Sequence, residues 1–112
     1  MGNNKKITVV VPCYNVEKYL ARCLDSLLNQ TYKTVEVIMV EDCSTDKTKN
    51  IVQIYEKNHS NIRAIYNMQN GGLGHARNVG IAATSSEYIC FLDSDGWYPE
   101  NFLTEMYKTL LL

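Results

Sequence analysis

The most informative segment of the sequence is Ile7-Thr8-Val9-Val10-Val11-Pro12-Cys13-Tyr14-Asn15, near the start of the chain. Its first five residues are largely apolar on both alternating faces, as in a parallel strand that is covered on both sides. Pro12 interrupts this pattern, and apolar residues then recur with helical spacing over residues 16–28. Asn15 is placed to cap that helix, with Glu17 in its first turn. The stretch therefore predicts a strand followed directly by a helix.

The same alternation of strand and helix occurs three more times along the chain. The further predicted elements are strands at 35–40, 62–66 and 88–92, a helix that ends at about residue 57, a helix from the loop 70–74 through Ala83, and a last helix with Pro99 in its first turn and an apolar face of Phe102, Leu103, Met106 and Leu110. Units of about 30 residues are typical of βαβ motifs. We therefore predict the α/β class, as one domain over residues 1–112. We expect a doubly wound, mostly parallel sheet with helices on both faces, built like a Rossmann-type half.

The composition excludes several classes of protein. With 46% hydrophobic residues, 21% charged residues and a net charge of -1, the 112-residue chain is neither disordered nor strongly basic like a nucleic-acid-binding surface. No apolar run reaches the roughly 20 residues that cross a bilayer. The four cysteines lack the pairwise spacing of a zinc or redox motif. They predict reduced thiols and a cytoplasmic location, with the full-length protein expected at the cytoplasmic membrane face.

The predicted fold locates the site, because open parallel sheets bind ligands outside the carboxyl ends of their strands. Asp93-Ser94-Asp95 follows the fourth strand, and in extended chain its two carboxylates would project to the same side. One carboxylate could then hold a magnesium- or manganese-type cation that bridges phosphates, and the other could bind ribose hydroxyls. The alternative is a solvated acidic turn.

Asp42 is the acidic residue at the end of the second strand. Its carboxylate could accept a hydrogen bond from a base N–H such as uracil N3, and Tyr14 could form an aromatic wall for that base. The alternative for Asp42 is a turn or capping residue before residues 44–46. Glu41 alternates to the other face and is expected to be structural.

The glycine-rich loop Asn70-Gly71-Gly72-Leu73-Gly74 leads into the third helix. Glycines such as Gly72 let the backbone approach a ligand, and a helix N-terminus favours anions. Arg77 could hydrogen-bond phosphate, or alternatively form a salt bridge to a site aspartate. His75 is expected to be a surface residue of the helix.

Five motifs in this order resemble the N-terminal half of family 2 glycosyltransferases, which are inverting enzymes with the GT-A fold. The motifs are Val9-Val10-Val11-Pro12-Cys13-Tyr14-Asn15, Leu27-Leu28-Asn29-Gln30-Thr31-Tyr32, Val40-Glu41-Asp42-Cys43-Ser44-Thr45-Asp46, Asn70-Gly71-Gly72-Leu73-Gly74 with Ala76-Arg77-Asn78, and Phe91-Leu92-Asp93-Ser94-Asp95. The resemblance implies transfer of a sugar from a nucleotide-diphosphate donor, most often a UDP-sugar, to an acceptor hydroxyl with inversion.

The resemblance also implies a role for individual residues. Pro12, Tyr14 and Asp42 would form the base pocket, with Asp42 on uracil. Arg77 would lie near the base and diphosphate, and Asp93 would contact ribose. Asp95 would be the metal ligand, for Mn or Mg.

Three positions depart from the family pattern. Glu41 and Cys43 stand where Asp and Gly are frequent, and Gly96 replaces a frequent Asp.

The family's catalytic base and acceptor-binding half lie downstream of the metal motif. We therefore expect a truncated chain that binds only the sugar donor and carries no catalytic base. A glycan or lipid-linked acceptor would be bound by the remainder. The last helix, with Leu111 and Leu112, is expected to favour a homodimer.

Two other classes of protein stay open at this point. One is a nucleotide-binding module without catalysis. The other is a response-regulator-like signalling domain, although the first strand ends in Pro12-Cys13-Tyr14 rather than in clustered acids.

Overall fold

The computed structural model describes residues 5–110 and contains four parallel strands and four helices in strict alternation. In chain order these elements are β1 (Ile7–Cys13), α1 (Leu20–Leu28), β2 (Val35–Glu41), α2 (Thr48–Asn58), β3 (Ile62–Tyr66), α3 (Gly72–Ala82), β4 (Tyr88–Phe91) and α4 (Phe102–Leu110). The strand order in the sheet is β3-β2-β1-β4. This arrangement confirms the predicted α/β class and parallel sheet.

β1 lies in the interior of the sheet, and its alternating residues pack into two different hydrophobic cores, one on each face. Its odd-numbered residues, with α1, α2 and α4, form the larger core, and Val10 packs with Ala76 of α3 in the smaller one. All seven residues of β1 are buried, as their apolar character on both faces predicts. Helices therefore cover both faces of the sheet, three on one and α3 on the other.

Gly80 allows α3 to lie close to the sheet. A Cβ atom at this position would come within 2.4 Å of Cγ1 of Val10, which no folded structure tolerates without a shift. The close approach packs α3 directly on its face of the sheet, and the helix begins at Gly72, whose N–H lies 3.0 Å from Asp42.

Pro12 lies within β1 rather than ending it. β4 pairs with β1 only from Ile7 to Val10, so Pro12 stands beyond the last paired residue on that side. Its missing N–H therefore removes no bond from the ladder.

α1 begins at Leu20, four residues later than predicted, and Asn15 does not cap it. Asn15 adopts a left-handed conformation with φ 53°, and its side chain accepts a hydrogen bond from the N–H of Thr45 at 2.8 Å. The N–H of Val16 donates to Oγ1 of Thr48 at 2.8 Å. The segment before α1 is thus held by the loop that precedes α2.

The buried face of α4 also differs from the prediction. Leu103 and Tyr107 are buried, whereas Phe102 and Leu110 are 38% and 49% exposed. Pro99 lies three residues before the helix rather than in its first turn, and its carbonyl accepts hydrogen bonds from the N–H of Phe102 and from the side chain of Gln30. Leu111 and Leu112 lie outside the described residues.

Among residues 5–110, no helix has both the length and the apolar character of a membrane span.

Candidate functional site

A cavity of about 510 Å³ opens at the carboxyl end of the sheet, where the predicted fold places a ligand. Its walls come from the ends of β1, β2 and β4, from the start of α3 and from the segment before α1. The lining residues are Pro12, Cys13, Tyr14, Val16, Tyr19, Asp42, Asn70, Gly72, Leu73, Ala76, Asp93, Ser94 and Asp95. Of the predicted site residues, only Arg77 is not among them.

Asp42 is the most tightly held acid of the cavity. Its side chain accepts hydrogen bonds at Oδ1 from Nδ2 of Asn67 at 2.8 Å and from the N–H of Gly71 at 3.0 Å, and at Oδ2 from the N–H of Gly72 at 3.0 Å. The residue is only 3% exposed. Burial raises the pKa of Asp42, but these three hydrogen bonds outweigh it and leave the pKa below its usual value. Asp42 is therefore a fixed carboxylate that also caps α3.

This capping role corrects the sequence-based alternative for Asp42. That alternative made Asp42 itself a turn or capping residue before residues 44–46. The structure assigns that function to Glu41 instead, since its carboxylate accepts hydrogen bonds from the N–H groups of Cys43 and Ser44, each at 3.0 Å. Glu41 is 2% exposed, and its structural role is confirmed.

Gly72 needs the conformational freedom of glycine. Its φ of +83° lies in the left-handed region, and this conformation turns its N–H toward Asp42. Neighbouring Gly71 has no room for a side chain, because a Cβ atom there would lie 2.2 Å from the His75 ring. His75 is an exposed residue of α3, as predicted, and its ring lies against Gly71.

Asp93, Ser94 and Asp95 form a turn and not an extended segment. β4 ends at Phe91, and the N–H of Gly96 donates to the carbonyl of Asp93 at 2.8 Å. Ser94 is buried within this turn and donates from Oγ to the carbonyl of Pro12 at 2.5 Å. The prediction that the two carboxylates project from an extended strand is therefore wrong. Both nevertheless line the cavity, because the buried serine fixes the turn to the end of β1.

Arg77 forms the salt bridge that was the alternative to phosphate binding. Its Nη2 lies 3.4 Å from Oδ1 of Asp93, with side chains 39% and 60% exposed, so water weakens the pair. The guanidinium also lies over the ring of Phe91, at 5.6 Å from the ring centre. Its buried Nε has no hydrogen-bond partner among the described residues. Arg77 therefore lies beside the turn of Asp93, Ser94 and Asp95, which we call the aspartate turn, and its Nε–H can still donate a hydrogen bond.

Cys13 lines the cavity but is not a nucleophile. Burial, with smaller contributions from Cys23 and Glu41, raises the pKa of the Cys13 thiol well above its usual value. Burial likewise raises the pKa of Cys23 to about 12. Both are neutral thiols, and the thiolate is the reactive form of cysteine. All four cysteines are free, as predicted.

The site fits a divalent cation only if the substrate completes its coordination. Among residues 5–110, no group of three or more His, Cys, Asp or Glu side chains is arranged to hold a metal. Asp93 and Asp95 offer two exposed carboxylates at the cavity. Mg²⁺-type ions are commonly bound by one or two carboxylates together with substrate phosphates and water. The donor set therefore suits a cation that arrives with a diphosphate.

Sequence reasoning missed several residues that shape the site. Tyr19 lines the cavity and is 48% exposed, although helical spacing predicted it as part of the packed face of α1. Asn67 directly follows the predicted strand at 62–66 and was given no role in the site, yet its side chain donates a hydrogen bond to Asp42. The rule that drew attention to the other strand ends applies equally to Asn67. No signal in the sequence pointed to Tyr19.

Comparisons with known proteins show what this chain is similar to. A model of the family described as "Glycosyl transferase family 2" matches residues 8–111. Glycosyltransferase GlyA of Streptococcus pneumoniae is 42% identical over 106 residues, which are 95% of this chain and 15% of GlyA.

Two solved structures extend the comparison to the fold. S. aureus TarS in complex with UDP-GlcNAc superposes with a TM-score of 0.85 and 37% identity, over 94% of this chain and 31% of that one. The mannosyltransferase PcManGT of Pyrobaculum calidifontis, in complex with GDP-Man and Mn²⁺, superposes with a TM-score of 0.79 and 26% identity, over 88% of this chain and 30% of that one. The chain thus spans about a third or less of these proteins.

Proposed function

The chain belongs to glycosyl transferase family 2, and on that basis we propose that it is the sugar-donor-binding part of an enzyme that transfers a sugar from a nucleotide diphosphate to an acceptor hydroxyl. The observation that carries the proposal is the convergence of Tyr14, Asp42, Asp93 and Asp95 on one cavity. These residues offer a flat aromatic side chain, a fixed acceptor and two exposed carboxylates. A base, a ribose and a diphosphate with its cation require these three kinds of group.

The base is proposed to lie at the Asp42 side of the cavity. A buried carboxylate whose pKa is lowered accepts hydrogen bonds and cannot donate one. It therefore suits a base with an N–H at the matching edge, such as uracil at N3. Pro12 and Tyr14 would form the remaining walls. The TarS crystal structures with UDP and UDP-GlcNAc support a uridine nucleotide, which we propose for this chain as well.

The diphosphate is proposed to lie between the N-terminus of α3 and the aspartate turn. Asp93 would accept hydrogen bonds from the ribose hydroxyls. Asp95 would hold Mn²⁺ or Mg²⁺, which neutralises charge on the departing diphosphate when bound. Arg77 would move from Asp93 to a phosphate oxygen, because their exposed ion pair contributes little. Gly72, at the start of α3, would let the backbone come close to the phosphates, although its N–H is already bound to Asp42.

The reaction is proposed to be a displacement with inversion. The acceptor oxygen attacks the anomeric carbon, and the bond to the diphosphate oxygen breaks with its electron pair leaving on the diphosphate. A base must take the proton from the acceptor hydroxyl. Every acid among the described cavity residues already has a role on the sugar-donor side. We therefore propose that this chain on its own transfers no sugar, and that acceptor and base belong to further parts of the enzyme.

Titration calorimetry tests the proposal. UDP is expected to bind, and to bind more tightly with Mn²⁺ or Mg²⁺ than with EDTA. CDP provides the control for the base. If the folded chain binds UDP no better than CDP, or gains nothing from the cation, the corresponding part of the site is wrong. An assay of sugar transfer with UDP-sugars completes the test, since transfer by the chain alone would place the base within it.

Self-association through α4 is proposed for the chain by itself. Phe102 and Leu110 line a second cavity, of about 400 Å³, on the outer face of this helix. An exposed apolar face of this kind suits a second copy of the same face. Light scattering is expected to detect a dimer that Phe102→Ser weakens, whereas Ile54→Ser, at an exposed position of α2, leaves it unchanged. A strictly monomeric wild-type chain would exclude the dimer.

A further inference from the structure

Asn67 is fixed at the carboxyl end of β3 by both its main chain and its side chain. Its N–H donates to the carbonyl of Glu41 at 2.9 Å, which extends the pairing of β3 with β2 by one residue. Its carbonyl accepts the thiol hydrogen of Cys43, with Sγ and O 3.2 Å apart. Its Nδ2 donates to Oδ1 of Asp42 at 2.8 Å. The amide orientation follows from chemistry, since an ionised carboxylate can only accept.

The hydrogen bonds of Asp42 leave one of its oxygens with spare capacity. A carboxylate accepts hydrogen bonds at about four positions, two on each oxygen. Asn67 and the N–H of Gly71 both bind Oδ1, and the N–H of Gly72 binds Oδ2. The remaining position is therefore on Oδ2. Without Asn67, Oδ1 would regain a position and the carboxylate could rotate or offer either oxygen.

We infer that Asn67 is a positioning residue that leaves Oδ2 of Asp42 as the single acceptor for a ligand N–H, and so sets the selectivity of the base pocket. The inference rests on the proposed function, because it takes Asp42 to face the base. It goes further by naming a residue that does not line the cavity and by predicting how that residue affects recognition. The predicted effect is specific to the base N–H and leaves the ribose and diphosphate contacts alone.

Two ligands and two variants test the inference. UDP carries the N–H at N3, whereas the diphosphate of 3-methyluridine lacks it and keeps the sugar and both phosphates. Asn67→Ala removes the donor to Asp42. Asn61→Ala is the matched control, because Asn61 precedes the same strand and donates from Nδ2 to the carbonyl of Val35 at 3.4 Å, at the opposite edge of the sheet. Thermal unfolding checks that each variant is folded, and Asn67→Ser replaces Asn67→Ala if the latter is not.

The expected result is a loss of preference and not a general loss of binding. In Asn67→Ala the affinity for UDP should fall about fivefold while the affinity for the methylated nucleotide stays constant, in line with the effect of one hydrogen bond. In Asn61→Ala the ratio of the two affinities should match wild type. An unchanged ratio in Asn67→Ala, or an equal loss for both nucleotides, overturns the inference. A folded wild-type chain that does not bind UDP overturns the proposed function itself, which is a separate outcome.

Discussion

Two acidic strand ends of this molecule look alike in sequence and differ in structure. Asp42, after β2, is 3% exposed and accepts three hydrogen bonds from the protein. The side chain of Asp93, after β4, is 60% exposed and has one ion pair, at 3.4 Å, with Arg77. Asp95 is also exposed. The first carboxylate is thus part of the framework, whereas the other two are free to exchange their partners.

The difference shows how one cavity can combine rigid and adaptable recognition. A carboxylate that is held by three donors presents a fixed acceptor, which suits a flat base of defined hydrogen-bonding pattern. Exposed carboxylates with weak partners lose little when they move to a cation or a ribose hydroxyl. The expected cost of mutation follows the same division, since the hydrogen bonds of Asp42 should stabilise the fold and Asp95 is proposed to act only in binding.

The largest expected change is the loss of unfolding free energy in Asp42→Ala. The substitution leaves the N–H groups of Gly71 and Gly72 and the amide of Asn67 without their acceptor, so the free energy of unfolding should fall by about 2–4 kcal/mol. Asp95→Ala should change it by no more than about 0.5 kcal/mol. Urea denaturation of both variants measures the contrast. Equal losses of unfolding free energy in both variants would refute the distinction.

The next effect concerns the cation. Asp95→Asn should leave binding of UDP in EDTA unchanged and remove the gain in affinity that Mn²⁺ gives, which we expect to be about tenfold, or about 1.4 kcal/mol. Asp25→Asn, at a carboxylate of α1 that binds the hydroxyl of Tyr55, is a control outside the cavity. Calorimetry with and without Mn²⁺ measures the gain. If Asp95→Asn keeps the full gain, Asp95 does not bind the cation.

A smaller and opposite effect is expected beside Asp42. Cys43 has a φ of 65°, which lies in the left-handed region that favours glycine. Cys43→Gly should therefore raise the free energy of unfolding by up to about 1 kcal/mol, reduced by the loss of the thiol contact with Asn67. Cys90→Gly, within β4, should instead be destabilising. Thermal midpoints of the two variants provide the measurement, and a lower midpoint for Cys43→Gly would contradict the strain.

The smallest expected effect is the change with pH in the stability that Asp42 contributes. The pKa of Asp42 is lowered in the folded state, so its carboxylate contributes stability above its unfolded pKa, about 3.9, and this contribution disappears as pH falls through the folded pKa. The difference in thermal midpoint between wild type and Asp42→Asn should therefore shrink between pH 6 and pH 3. Asp46 and Glu36, whose pKa values are also lowered, contribute equally to the pH dependence of stability in wild type and in Asp42→Asn, so they cancel in the difference. A difference that stays constant would show that ionisation of Asp42 is not stabilising.

The strands and the place of the cavity could be predicted from sequence because their signals are local. The apolar run at Ile7–Cys13 and the polar residues at the strand ends suffice to orient a parallel sheet. The geometry of the aspartate turn could not be predicted, because it depends on a hydrogen bond from Ser94 to Pro12 across 82 residues. The start of α1 could not be predicted for a related reason, since Thr45 of the preceding loop and Thr48, the first residue of α2, bind the residues before α1. Contacts between distant loops leave no periodic pattern in a sequence.

The strand order β3-β2-β1-β4 has a consequence for the time at which the site forms. β1, β2 and β3 pair with their neighbours in the chain, so their contacts require only short loops to close. β4 must instead return across two units to reach β1, where Ser94 anchors the aspartate turn. Contacts of such sequence separation form late in folding. The Asp42 side of the cavity should therefore form before the turn of Asp93, Ser94 and Asp95, with the N–H groups of β4 protected last in pulsed hydrogen exchange.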